Sequence, residues 1–209
     1  MHHTTVNIIV IGYGLPDLEA KCLESVRRHT THPYLLTFFD NFESGLSLTE
    51  AWNFTISVSP CAYICLLNND TEVHPNWLGR MYETLTTVPD CGFVGPSTNQ
   101  CHSPQKAVST AKEAEAHRGS AVRMDSPISG FCLLFSKETY NQLNGFDPRY
   151  ALYGQESDFI DRGFRLGLDA YWRQDAFVFH HGEASIKAHG LDVSTEREKA
   201  KKLYWGERK

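Results

Sequence analysis

The apolar positions of this chain fall into runs of two kinds. Residues 6–11 form an almost unbroken β-branched run, closed by Gly12-Tyr13-Gly14-Leu15-Pro16, the pattern of a buried parallel strand that enters a loop. Leu18, Cys22, Leu23 and Val26 then recur at helical spacing, with Asp17 as the expected N-cap and His29 to Pro33 as the stop. Residues 34–39 give a second apolar strand ending in Asp40-Asn41, and Leu46, Leu48, Ala51 and Trp52 predict a second helix that reaches Val58. A third strand over 63–67 ends in Asn68-Asn69-Asp70. Strand and helix alternating in this way predict an α/β chain with a doubly wound parallel sheet, built by right-handed crossovers. Sheets of that kind bind ligands beyond the carboxyl ends of their strands. Gly12-Tyr13, Asp40-Asn41 and Asn68-Asn69-Asp70 are therefore expected along one edge.

Downstream the pattern is less regular. A helix starts at Pro75 to Leu78 and a short strand covers 92–94, after which 97–127 turn Ser-, Ala- and Gln-rich; that stretch is expected to be a mobile loop with one short helix. Strand-like residues return at 130–135. A helix over 137–143, a turn at Asn144 to Pro148, a helix over 159–166 and a strand over 176–179 follow, the last leading into His180-His181-Gly182. A charged helix from 195 to 209 closes the sequence. Neither a repeat nor a linker interrupts it, so residues 1–209 read as one domain.

Composition removes several classes of function. With 41% hydrophobic, 12% aromatic and 22% charged residues in 209, the chain is neither collagenous, disordered nor a disulfide scaffold. Its length suffices to fold without a metal staple, so a metal would serve chemistry. Twenty Lys+Arg against 25 Asp+Glu give a formal charge of −5, and the spacing of the basic residues outlines no extended nucleic-acid surface and no footprint for an anionic membrane. The longest apolar runs are far short of the roughly 20 residues of a transmembrane segment. There is no secretory signal pattern at the N-terminus. Six cysteines at 22, 61, 65, 91, 101 and 132 form no CxxC pair, which fits reduced thiols, Cys61 and Cys65 in structural roles, and a cytoplasmic location.

The segment Leu66-Leu67-Asn68-Asn69-Asp70-Thr71-Glu72-Val73 carries the most chemical information. Asp70 is its one carboxylate at the strand end, and one carboxylate with two phosphate oxygens and water can hold a hard divalent cation on a diphosphate. The plain alternative is a polar turn after a buried strand. Tyr13 can stack on a nucleobase and Asp40 can accept an imide N–H, which suits uracil or thymine. His180 ends a strand; as an imidazole it would favour Mn²⁺ over Mg²⁺ beside Asp70, with His181 as its competitor. His180, His181, Glu183 and His189 cluster in sequence, yet no zinc-hydrolase spacing is present. Trp52, Trp77, Trp172 and Trp205 read as core, with Trp205, on a tail helix, also placed to close over a site.

The 66–73 segment resembles the metal-binding signature of inverting family 2 glycosyltransferases of the GT-A fold, with Asn68 in place of the first acid of the usual Asp-x-Asp. Further pieces follow in that family's order, in a rhamnosyltransferase-like pattern: Leu23 to Val26, Asp40-Asn41, Ala51-Trp52-Asn53, Ser129 to Leu134, Gly145-Phe146-Asp147, Tyr153 to Phe159, Val178 to Gly182 and Tyr204-Trp205-Gly206. The resemblance implies a single Rossmann-like α/β/α domain with a mostly parallel central sheet. It implies an enzyme of the hexosyltransferase type, acting in polysaccharide biosynthesis on a nucleotide-sugar donor and a glycan or glycoconjugate acceptor. Glu156 takes the position of the base, where Asp is more usual, and Asp158 is the second acidic candidate or else a partner for Arg162 at i+4. Gly12 and Asn69 fall to the nucleotide, Asn53 to the ribose or diphosphate, and Gly130-Phe131 to the donor-sugar wall. The loops 97–127 and 186–195 are expected to bind the acceptor, the latter as a lid.

Two other functions keep the same fold. A noncatalytic nucleotide- or glycan-binding module is motivated by Asn68 and Glu156 standing where acids of the usual type are expected. A sugar-phosphate nucleotidyltransferase is disfavoured because Gly12 to Pro16 lacks the Lys and Arg of a triphosphate loop.

Overall fold

A computed structural model describes residues 4–182 and 184–206. β1 (Val6–Gly12) is buried along all seven residues. α1 (Pro16–His29) begins at Pro16, whose fixed φ suits the first helical position. Asp17 is thus a first-turn residue and not the N-cap, a position held by Leu15 without a side-chain bond. β2 (Tyr34–Asp40) is followed by α2 (Leu48–Ser57), opened by a capping box in which Ser47 and Glu50 satisfy each other's backbone donors. Then come β3 (Tyr63–Asn68), β4 (Thr71–Val73), α3 (Trp77–Thr87) and β5 (Cys91–Ser97). The second half consists of α4 (Ala111–Ala116), β6 (Ala121–Met124), β7 (Cys132–Ser136), α5 (Lys137–Gln142), α6 (Gln155–Arg165), β8 (Asp169–His180), α7 (Ala184–Ala188) and α8 (Ser194–Gly206). The last three residues of the expected tail helix lie outside the described residues, as does Glu183.

The strands order as β2-β1-β3-β7-β5-β8-β4, with β6 also on β8. β1 is parallel to β2 and β3, and β5 to β8. β7 runs antiparallel to both β3 and β5, so the five strands on either side of it share one direction. The mostly parallel α/β/α architecture agrees with the sequence. A purely parallel, doubly wound sheet does not: β7 is reversed, and β4 and β6 pair antiparallel with β8. Alternate residues of the central strands feed two cores. Ile9, Ile64 and Leu66 pack with Trp52 and Phe159 on one face, whereas Ile8, Val10 and Leu67 pack with Val26, Trp77 and Met81 on the other.

Residues 97–127 contain the one short helix expected of them and more regular structure besides. They hold a 3₁₀ turn at Pro104–Ala107, α4 and β6. Buried Gln105 pins them, its Nε2 donating to the Pro96 carbonyl at 2.8 Å and its Oε1 accepting the Ser129 N–H at 2.8 Å. β8 is 12 residues long because Arg173 and Asp175 neutralise each other inside it; the Arg173 guanidinium also reaches Thr84 Oγ1 at 3.0 Å. α6 starts four residues before the expected 159, which puts Glu156 in its first turn. Among the described residues no helix is long and apolar enough to cross a membrane.

Candidate active site

β4 fixes the first part of the site. Its antiparallel register sets Thr71 opposite His180, which brings the preceding Asp70 against the end of β8. Asp70 is buried, its Oδ2 accepts the Ala184 N–H at 3.2 Å, and its carbonyl accepts the His181 N–H at 2.9 Å. Burial by itself raises the Asp70 pKa, but the neighbouring imidazole of His180 and the Ala184 N–H outweigh it and hold the carboxyl below its ordinary value. Asn99 clamps the His180 backbone on both sides, donating to its carbonyl at 3.0 Å and accepting its N–H at 2.7 Å.

The ring of His180 is oriented for ligation. Its Nδ1 lies 3.1 Å from the Gln100 carbonyl; a carbonyl only accepts, so Nδ1 is the donor there and Nε2 is the ring nitrogen turned toward Asp70. Nε2 is buried without a hydrogen-bond partner, 3.1 Å from Asp70 Oδ1 but not aligned for a hydrogen bond with it. Adjacent ligands of an octahedral cation, at about 2.1 Å from it, are about 3 Å apart. A histidine whose other ring nitrogen donates to a backbone carbonyl is the usual outer support of a metal ligand. Asp70 and His180 therefore fit a divalent cation. Among the described residues no group of three or more His, Cys, Asp or Glu converges on such a point.

The second part of the site is joined to the first by two consecutive residues. Phe131 stacks on the His180 ring with centroids 5.2 Å apart and planes 18° apart, and its carbonyl accepts the Asn68 N–H at 2.8 Å. Gly130 meets Glu156: a Cβ added there would stand 2.9 Å from Glu156 Cγ, so only glycine lets the carboxylate lie against this backbone. Desolvation raises the Glu156 pKa above the usual carboxyl value, with backbone groups of Glu156 and Gly130 pulling against it. Asp70, His180 and Glu156 thus lie around one dipeptide although 110 residues separate the first from the second.

The ends of β1 and β2 form the third part. Glu19, a buried carboxylate that the sequence reading passed over, sits beneath the Gly12 to Pro16 loop. Its Oε1 accepts the N–H groups of Tyr13 at 2.7 Å and Leu15 at 3.2 Å, and the amide of Asn69 at 3.1 Å. Tyr13 is half-buried, with Phe42 and His189 edge-on to its ring at 5.6 and 5.8 Å. His189 Nε2 also reaches the Tyr13 carbonyl at 3.1 Å, and Asn69 reaches Ser185 Oγ at 3.4 Å. The 186–195 segment accordingly touches the strand ends. Gly12 has no room for a side chain, since a Cβ would stand 2.5 Å from the Phe38 ring. Asp40 is exposed and accepts the Phe42 N–H at 3.1 Å.

Other sequence candidates lie elsewhere or are engaged. Asn53, expected at the ribose or diphosphate, has protein partners: its Nδ2 donates to the Phe146 carbonyl at 2.8 Å, while its Oδ1 accepts from Phe146 N at 3.0 Å and Tyr140 O–H at 2.9 Å. Its amide is spent on joining α2 to the turn before α6. Asn53→Ala is expected to lower unfolding stability by about 2 kcal/mol with nucleotide binding retained, as read from urea melts with and without UDP. Asp158 is held by Arg162 Nε at 2.8 Å, and Arg162 continues to the carbonyls of Leu143 and Gly145. His181 turns to Glu72, at 2.9 Å, and not to Asp70. Phe42, Glu19 and Asn99 had no sequence signal beyond their residue type.

No family model matches the chain. Over 76 residues it is 37% identical to the N-acetylglucosaminyl-diphospho-decaprenol L-rhamnosyltransferase of Mycobacterium tuberculosis, in strains CDC 1551 / Oshkosh and ATCC 25618 / H37Rv; the match covers 36% of this chain and 22% of that protein. Its fold is similar to the crystal structure of GalNAc-T7 with UDP, GalNAc and Mn²⁺, with a TM-score of 0.66 and 13% identity over 85% of this chain and 44% of the other. The chain therefore spans well under two thirds of the proteins it matches. The fold is the GT-A fold that the sequence led one to expect.

Proposed function

We propose that this GT-A chain is a metal-dependent, inverting glycosyltransferase that moves a hexose-type sugar from a UDP- or dTDP-linked donor to a hydroxyl of a glycan or glycoconjugate acceptor. The observation that carries the reading is the Gly130-Phe131 dipeptide, which supports His180 on one side and Glu156 on the other. Glu156 is the base: a half-buried carboxylate with a raised pKa takes the acceptor proton more readily than an ordinary one. Asp70 and His180 would hold the cation, which when bound neutralises the charge that develops on the departing diphosphate. Asp158 acts as a positioning residue, because its carboxylate is engaged by Arg162 and fixes the turn ahead of α6. Tyr13 and Asp40 would take the base, Asn69 the diphosphate side, and Phe131 and Gly130 the donor-sugar wall. The rhamnosyltransferase relative, named for a sugar carried on a diphospho-polyprenol, supports a lipid-linked saccharide as acceptor.

Mn²⁺-dependent hydrolysis of the donor without acceptor is the expected result, measured across UDP-, dTDP- and GDP-sugars. A protein that neither binds nor hydrolyses any of them in manganese would overturn the reading. Tight UDP binding with no turnover in either wild type or Glu156→Gln would favour the binding module. Release of pyrophosphate from a nucleoside triphosphate would favour the nucleotidyltransferase. Against the latter stands Glu19, whose carboxylate occupies the loop N–H groups that a triphosphate would need.

A further inference from the structure

We propose that the outer face of α8 docks the protein on an anionic lipid surface. Basic residues look scattered along the sequence, but α8 gathers them: it carries Arg197, Lys199, Lys201 and Lys202 against Glu196 and Glu198, in a chain with 20 cations and 25 anions overall. The inner face is already committed. Arg197 lies over the Tyr153 ring at 4.8 Å and donates to its hydroxyl at 3.1 Å, Tyr204 hydrogen-bonds the Asp161 carboxylate, and Ala200 faces Gly154. Lys201, Lys202 and Trp205 are exposed, the last to 61%, whereas Trp52, Trp77 and Trp172 are exposed to 6% or less. Lys202 approaches Glu198 only at 3.7 Å, and Lys199 meets Glu196 at 2.7 Å in water-exposed geometry, pairs too weak to cancel the surface field.

A tryptophan beside lysines is the combination that settles at the headgroup level of a bilayer, with the ring among the acyl boundary and the charges on anionic heads. The complement fits a membrane better than a long polyanion, because the remainder of the chain is net acidic and would be repelled along any extended contact. Docking here sets the surface beside Tyr153 and Gly154, three and two residues before Glu156. The inference goes beyond the catalytic reading and does not depend on it.

The test is partition of the whole chain onto phosphatidylcholine vesicles with and without phosphatidylglycerol, by sedimentation and tryptophan emission at low and high salt. Expected are binding to the anionic vesicles only, loss of that binding at high salt, and a blue shift on binding that Trp205→Phe abolishes. The double variant Lys201→Gln/Lys202→Gln should partition on the order of thirtyfold more weakly with an unchanged circular dichroism spectrum. Absence of binding at low salt, equal binding to neutral vesicles, or an unweakened double variant would overturn the proposal. So would an emission shift that follows protein concentration without vesicles, since that would assign the face to a second copy of the chain.

Discussion

Glu156→Gln is expected to lower sugar transfer by about three orders of magnitude while UDP binding, measured by calorimetry, stays within a few-fold of wild type. The amide keeps the shape that Gly130 accommodates and removes only the proton acceptor. Because desolvation raises the Glu156 pKa, the acid limb of the wild-type rate profile should lie above the ordinary carboxyl range, and the residual rate of the variant should lack that limb. Stability moves the opposite way. A group whose folded pKa is raised supports folding fully only below its unfolded pKa, and that support is lost as pH rises through the folded value. As pH rises above the ordinary carboxyl range the wild type therefore bears the cost of ionising a desolvated carboxyl, and the Gln variant does not. The variant is expected to melt higher at pH 7, with the gap closing on acidification; a variant that melts lower at pH 7 would remove the desolvated base from the scheme.

Asp70→Asn is expected to reduce transfer by about two to three orders of magnitude and to weaken Mn²⁺ binding at least tenfold, read by titration of the metal in the presence of UDP. The substitution can keep an oxygen toward Ala184 N, puts an NH2 group where Oδ1 faces His180 Nε2, and deletes the negative charge that a hard cation needs. Excess manganese should restore part of the rate, because the loss is one of occupancy as well as of charge. Unchanged metal dependence in this variant would separate Asp70 from the cation and leave it as a support for the 181–184 turn.

The first three strands were legible because each is an apolar run that ends in turn residues. The edge they define carries Gly12, Tyr13, Asp40, Asn69 and Asp70, as their positions at strand ends require. β4 escaped because three residues offer no period to read, although its pairing with β8 is what brings Asp70 to His180. Only residues 176–179 of β8 were legible, since Asp169, Arg173 and Asp175 break its apolar pattern, and the strand tolerates them because Asp169 pairs with Arg123 and Arg173 pairs with Asp175 and Glu83. Asn53 illustrates the converse. A polar residue next to a motif invited a ligand, but the backbone of Phe146, 93 positions away, claims its amide. Glu19 was invisible for the same reason: in sequence it is an ordinary first-turn acid, and only folding turns it inward under the loop.

The reversed strand β7 also sets a timetable for synthesis. β1, β2 and β3 are complete once Asn68 has been made, but the second edge of β3 is covered only when β7, ending at Ser136, pairs with it. Roughly 70 further residues must be polymerised first, which at 5–20 residues per second occupies on the order of 3–14 s. During that interval the nascent chain carries the strand Tyr-Ile-Cys-Leu-Leu-Asn with one open side, a template for pairing with a neighbouring chain. Slowing the ribosome between residues 69 and 131 lengthens this exposure, so the yield of folded protein should depend on translation speed across that stretch more than on speed anywhere after β7.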